Sequence, residues 1–231
     1  MIFKQLFDEE SSTYTYLIAD EKSGKAVLID TVKEHTAEYI ELLNSLDLKL
    51  EYVLDTHTHA DHISANGELR DLTGCTTLLG EQSASVCIDR GIADQEVISI
   101  GDIELQMLHT PGHTSDSYSF HMEIEGQHYL FTGDTLLING SGRTDFQNGS
   151  AHQQYDSIFN KLLVYPEGTL IYPGHDYNGE TQSTVGKEKR ENPRLQVSSE
   201  SEYVEIMHNL KLPNPKLMDI AVPANERCGS S

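Results

Sequence analysis

Between residues 57 and 62 the chain reads His57-Thr-His59-Ala-Asp61-His62, four side chains able to ligate a metal within six positions. They follow the apolar run Leu50-Glu51-Tyr52-Val53-Leu54, which has the composition of a strand. On a continuing strand His57 and His59 would share one face, whereas a turn after the strand would fan all four side chains toward a common point. Imidazoles and carboxylates at this density are the donor set of a metal site; the plainer reading, four solvated loop residues, leaves the clustering unexplained.

Three further segments each end an expected strand with a ligand-type residue: Thr110-Pro111-Gly112-His113-Thr114, Phe131-Thr132-Gly133-Asp134-Thr135 and Tyr172-Pro173-Gly174-His175-Asp176. Glycine precedes the candidate ligand every time, where the missing Cβ permits an unusual turn and close approach to a neighbouring loop. Each pair alone carries little information, but with the first motif they form one constellation. His35, His109, His121, His128, His152 and His208 lie outside this pattern and read as surface or packed histidines. Asp30 closes another expected strand and is placed to support the metal loops from behind.

The elements that must carry these residues are legible from periodicity. A β-hairpin is expected from Thr13–Ile18 and Ala26–Asp30 around Lys22-Ser23-Gly24, then a helix over His35–Leu46 and the strand into His57. Short strands follow at Thr76–Leu79, Ile103–His109, Ser117–Ile124 and His128–Thr132, separated by turns such as Gly101-Asp102 and Glu125-Gly126. A helix over His152–Leu163, a strand at Thr169–Tyr172 and helices over Thr181–Arg190 and Ser199–Asn209 complete the series, with Pro213 and Pro215 as punctuation. Two successive batches of strands then helices suit an α/β fold of two sheets packed face to face with helices outside, a four-layer αββα sandwich. The segments AVLIDT and YLFTGDT echo each other, in keeping with two related halves.

Composition narrows the partners. Sixteen Lys plus Arg face 37 Asp plus Glu, a formal charge of −21 that repels nucleic acid and anionic membranes alike. No run of eighteen apolar residues is present and the first residues, MIFKQLFDEESS, lack the features of a signal peptide, so a cytoplasmic protein forming one domain over 1–231 is expected. Cys75, Cys87 and Cys228 are odd in number and widely spaced, which fits neither a disulfide framework nor a zinc knuckle; they read as free thiols, with Cys228 the candidate for redox reactivity.

The order HxHxDH, GH, GD, GH from about Ala26 to His175 resembles the metallo-β-lactamase superfamily, which implies the αββα fold with metal-binding loops at one edge of the sheets. Hydrolases of the glyoxalase II kind in that superfamily hold one metal through residues matching His57, His59 and His113 and a second through Asp61, His62 and His175, bridged by Asp134. All seven ligand types are present, so a dizinc thioester hydrolase stays open on ligand count. The segments THTHADHISANGELR, TPGHTSDSYSF, FTGDTLLINGSGRTDFQNG, YPGHDYNGETQSTVGKEKRENPRL and AVPANERCG are similar to the persulfide dioxygenase branch. After His175 the chain has Asp176-Tyr177 where glyoxalase II enzymes carry Glu-Tyr, and only 56 residues run from Asp176 to the end, a short extension of the domain.

That resemblance implies one iron(II) per chain held by His57, His113 and Asp134, with His59, Asp61, His62 and His175 kept around it without a second metal. Two imidazoles and a carboxylate leave three positions for water, dioxygen and substrate, as non-haem iron oxygenases require, whereas zinc has no redox chemistry to offer. The expected reaction oxidises glutathione persulfide with O2 and water to sulfite and glutathione. Arg143 is the expected holder of a glutathione carboxylate, with Tyr177 and Arg227 as further contacts and Arg194 after them; an Arg serves equally well as an internal loop anchor. A homodimer is implied by the family. A metal- or persulfide-sensing protein without turnover is the reading from another class, and no separate signalling domain favours it.

Overall fold

The structure, a computed structural model, describes residues 1–213 and 217–229. The chain is arranged in two compact units: the first holds Met1–Ile92, Val97–Leu105 and the C-terminal residues 217–229, the second Ala93–Glu96 and Gln106–Pro213. Among the described residues no helix is long and apolar enough to cross a membrane.

In the first unit β1 (Ile2–Asp8), β2 (Thr13–Asp20) and β3 (Lys25–Ile29) form an antiparallel meander. The expected hairpin is β2–β3, with Leu17 opposite Leu28; β1 adds an edge strand whose half-exposed sequence carries no clear alternation. Helix α1 (Thr36–Ser45) crosses to β4 (Lys49–Leu54), parallel to β3, and α2 (Asn66–Thr73) crosses to β5 (Thr76–Gly80), parallel to β4. The short β6 (Arg90–Ile92) completes the order β1-β2-β3-β4-β5-β6. Leu17, Leu28, Val53 and Leu69 are wholly buried with Tyr39 and Leu43 of α1. Each such side chain contributes about 1.5–3 kcal/mol by leaving water. Helix α2 was not expected from the sequence; it starts just beyond the histidine motif and stops where Gly74 takes a left-handed φ of 72°.

The second sheet has the order β12-β11-β10-β9-β8-β7. It comprises β7 (Val97–Ile100), β8 (Ile103–His109), β9 (Tyr118–Ile124), β10 (Gln127–Gly133), β11 (Leu170–Pro173) and β12 (Ser183–Thr184). In the second unit β8, β9 and β10 run antiparallel, while β11 lies parallel to β10 after the crossover through α3 (Ala151–Asp156). Ser150 caps α3 by accepting from the Gln153 amide, and the helix widens over Ser157–Leu162, matching the expected helix to Leu163. The helix expected over Thr181–Arg190 is shorter. Residues 183–184 pair as β12, and α4 (Val185–Glu191) begins only where the Thr184 hydroxyl accepts from the Lys187 amide. Helix α5 (Glu200–His208) agrees with expectation, and Pro215 lies outside the described residues.

Residues 217–229 of the first unit contain α6 (Met218–Asn225), also unexpected because Pro223 stands inside it. Its C-terminal end corrects the reading of the cysteines: Cys87 and Cys228 form a disulfide across 141 residues, and only Cys75 is a free, buried thiol among the described residues. Sequence spacing missed the pair because the turn after α6 returns Cys228 to the loop after β5, where the Val86 amide also donates to the Glu226 carbonyl at 3.0 Å. One turn earlier, buried Asn225 donates from Nδ2 to the carbonyls of His59 (3.0 Å) and His62 (2.9 Å) and accepts from the Ser64 amide (2.8 Å). The C-terminal helix thus grips the histidine loop by its backbone.

Reducing the Cys87–Cys228 bond, or Cys228→Ser, is expected to lower the unfolding free energy by about 2–4 kcal/mol; an unchanged urea midpoint with and without reductant would contradict this. Asn225→Ala removes three hydrogen bonds of about 1 kcal/mol each. Urea unfolding should therefore show a loss of about 3 kcal/mol, and amide exchange of the 59–64 segment should accelerate, whereas wild-type protection there would remove the clamp.

Candidate metal centre

In the first unit the chain leaves β4 and turns at once, so that His57, His59 and His62 are all buried and Asp61 is about a quarter exposed. The ligand atoms of His59, Asp61 and His62 lie within 4.8 Å of one another, as do those of Asp30, Asp55 and His59. Asp30 anchors this turn from the end of β3, where it adopts a left-handed φ of 53° that an Asp tolerates better than most residues. Its Oδ1 accepts from the Thr56 amide (2.6 Å) and lies 3.1 Å from His59 Nε2, while its Oδ2 accepts from the Thr56 hydroxyl at 3.0 Å.

Donor counting then assigns the His57 tautomer. Thr56 spends its one hydroxyl proton on Asp30, so at the 2.9 Å contact His57 Nδ1 is the donor and Nε2 keeps its lone pair. His59 is different: burial disfavours its charged form, yet Asp30, Asp55 and Asp61 outweigh that and push it up to about 9. Asp55, wholly buried and near Asp30, is pushed up to about 7, with Ser64 (3.2 Å) and Asn66 (2.7 Å) donating to its two oxygens. This corner of the unit concentrates carboxylates in a buried place and so favours a cation.

In the second unit the Gly-ligand segments do what the missing Cβ suggested. Gly112 has φ 144°, and a Cβ there would stand 2.3 Å from Gln154 Cα; at Gly174 a Cβ would come within 2.8 Å of Asp134 Oδ1. These approaches bring His113, Asp134 and His175 together. His113 Nδ1 lies 2.7 Å from the Arg143 carbonyl, which only accepts, so Nε2 of His113 is again the lone-pair nitrogen. That Nε2 is 3.6 Å from Asp134 Oδ2, beyond hydrogen-bond reach. Two ligand atoms each about 2.0–2.2 Å from one ion stand roughly this far apart. The other oxygen of Asp134, Oδ1, is 2.6 Å from His175 Nδ1. The residues present therefore fit a metal: imidazole nitrogens with lone pairs fixed by neighbours, and a carboxylate already oriented.

The expected substrate contacts are placed unevenly. Arg143 makes a two-point ion pair with Asp145 (2.7 and 2.8 Å), donates to the Pro213 carbonyl at 2.6 Å and lies over the Phe146 ring. It acts as a loop anchor, the other task its planar guanidinium suits. Arg194 likewise donates to Ser141, through both the backbone carbonyl and the hydroxyl. Tyr177 is 71% exposed and stacks parallel to His175, leaving its ring accessible beside that histidine. Arg227 is exposed after α6, its Nε donating to the Pro223 carbonyl. Asn225 and Thr13 were missed by the sequence reading. Thr13 lies on β2 with its hydroxyl 3.3 Å from both His62 Nδ1 and Asp61 Oδ2, a placement no local motif announces.

Comparison with known proteins gives this geometry a family. The metallo-beta-lactamase superfamily profile matches residues 8–175. A protein of Mus musculus described as "Persulfide dioxygenase ETHE1, mitochondrial" is 45% identical over 230 residues, covering 99% of this chain and 89% of its own length. The crystal structure of ETHE1 from Myxococcus xanthus superposes with a TM-score of 0.95 at 50% identity, covering 99% of this chain and all of that one. A hydroxyacylglutathione hydrolase of Dictyostelium discoideum is more distant, 33% identical over 170 residues that cover 71% of this chain and 62% of its own. With two mixed six-stranded sheets, flanking helices and a full-length match of this kind, the chain has the metallo-β-lactamase fold and belongs to the persulfide dioxygenase family of that superfamily.

Proposed function

We propose that this protein is an iron(II)-dependent persulfide dioxygenase that oxidises glutathione persulfide with O2 and water to sulfite and glutathione. One iron per chain is held by His57, His113 and Asp134. When bound, the iron supplies the one-electron chemistry with dioxygen that amino-acid side chains lack. A homodimer working in the cytoplasm is part of the same reading.

The observations that carry it are the full-length likeness to persulfide dioxygenases and the placement of Asp134, whose Oδ1 lies 2.6 Å from His175 Nδ1 while Oδ2 faces His113 Nε2. A dizinc hydrolase needs this aspartate to bridge two metals and His175 to ligate the second. Here His175 Nδ1 orients the carboxylate, and the full-length likeness to persulfide dioxygenases supports one iron over two zinc ions. His59, through Asp30, and the Asp61–His62 pair balance charge around the site.

The remaining residues hold and orient. The Arg143 carbonyl fixes the His113 ring, so Arg143 works as a positioning residue through the loop that Asp145 pins. Tyr177, exposed beside His175, and Arg227 offer a hydroxyl and a cation to the carboxylates and amides of glutathione. In a chain of formal charge −21 such local donors are what a peptide with two carboxylates requires.

Protein purified without oxygen is expected to contain about one iron per chain and to take up O2 only when glutathione persulfide is added, releasing sulfite. Two zinc ions per chain with hydrolysis of a glutathione thioester and no O2 uptake would overturn the proposal in favour of the hydrolase. His113→Ala should lose iron while keeping the wild-type circular dichroism; full iron occupancy in that variant would show the ligand assignment to be wrong.

A further inference from the structure

The β9–β10 hairpin of the second unit carries another group of metal-ligating side chains, His121, Glu123 and His128, to which the iron reading gives no task. Glu123 and His128 are direct cross-strand partners, and His121 stands two positions before Glu123 on the same face of the ribbon. Only Glu125 and Gly126 join the strands, with φ of 52° and 80°, the pair of positive values that a two-residue type I′ turn requires. The turn fixes the register, so the three side chains are brought together before any ligand arrives.

The two imidazoles meet nitrogen to nitrogen: His121 Nε2 is 3.0 Å from His128 Nδ1. Glu123 Oε2 is 3.8 Å from that same His128 nitrogen, on a side chain 53% exposed that can swing inward. Behind them the Tyr165 ring lies 4.5 Å from the His121 ring and 6.2 Å from that of His128, and Leu130, opposite His121, is wholly buried. The His128 side chain, 26% exposed, leaves the other side open to solvent. Packing alone gains little from this arrangement, because two facing imidazoles share a single hydrogen bond and repel each other once both are protonated. Burial, followed by the neighbouring His128 charge, holds His121 below the ordinary imidazole value against the pull of Glu123, which keeps its ring neutral and able to ligate. The proton in the contact can move to the outer nitrogen of its own ring, so ligation by the neutral pair releases none.

The spacing selects the ion. Two nitrogens each about 2.0–2.1 Å from one metal stand about 2.9 Å apart at a right angle and about 3.3 Å apart at the tetrahedral angle. The 3.0 Å seen here suits the right angle, which is the geometry of nickel(II) and copper(II), both well served by imidazole. We propose that His121 and His128, with Glu123 as third donor, form a binding site for a nickel(II)- or copper(II)-type ion, separate from the iron centre. His128 and Asp134 are six positions apart along β10 and its end, about 20 Å at the rise of a strand, so a metal at the hairpin shares no ligand with Asp134.

The test titrates the iron-loaded full chain with nickel(II) in a calorimeter under exclusion of oxygen, with nickel and iron assayed on the protein afterwards. One nickel per chain is expected with the iron retained, and nickel X-ray absorption should show scattering from two imidazole rings. His121→Ala and His128→Ala, each with wild-type circular dichroism, should lose nickel binding, while Glu123→Gln should weaken it. Copper(II), which binds such donors more tightly, should displace the nickel from wild type. Should His121→Ala unfold, His128→Ala at the open end of the hairpin decides alone. No nickel beyond the iron, nickel that enters only as iron leaves, or wild-type nickel binding in the histidine variants would each overturn the site. Because the outcome is read from metal content, failure of the dioxygenase reading would leave it standing.

Discussion

A carboxylate whose two oxygens answer to different partners is the constraint on which the account of this protein turns. Asp134 turns one oxygen to His175 Nδ1, 2.6 Å away, and the other toward His113 Nε2, so the plane of its carboxylate is set from both sides. The backbone makes this arrangement possible: Gly133 with φ 49° releases the chain from β10, and Gly174 lets the β11 turn approach the carboxylate where any Cβ would collide with it. Sheet register, loop glycine and side-chain tautomer are thus links of one causal sequence, with β10 and β11 parallel so that both ligand turns leave the same end of the sheet.

The first unit solves the complementary problem of holding imidazoles and carboxylates close together out of water. Asp30 fixes Thr56 and His59 at once, Thr56 sets the His57 tautomer, and Asn225 ties down the loop carbonyls that those turns would otherwise leave exposed to competition. Burying carboxylates this densely costs stability unless opposite charge joins them. The loop is accordingly held from three directions in sequence, by β3, by α2 through Asn66 and by the C-terminal helix that the disulfide fastens. Stability here is given to a shape that suits a cation.

Much of this was readable from residues alone. The HxHxDH cluster and the three Gly-ligand turns announced themselves because chemistry and backbone freedom coincide at adjacent positions, and the strands carrying them are short apolar runs closed by turn residues. What stayed hidden depends on contacts distant in sequence. Cys87 and Cys228 looked unpaired because their meeting is made by the turn after α6, a helix masked by Pro223. Thr13 and Asn225 look like ordinary strand and helix residues until the fold sets them against the histidine loop. Arg143 was read from its motif as a substrate contact with loop anchoring as the equal alternative, and only the fold shows the Asp145 and Pro213 partners its guanidinium takes.

Binding of one iron by two imidazoles and a single aspartate oxygen can be read by iron X-ray absorption spectroscopy on the ferrous protein. Scattering from two imidazole rings and oxygen donors with no neighbouring metal is expected. A metal–metal distance of about 3.5 Å, the spacing of a two-metal hydrolytic site, would contradict it.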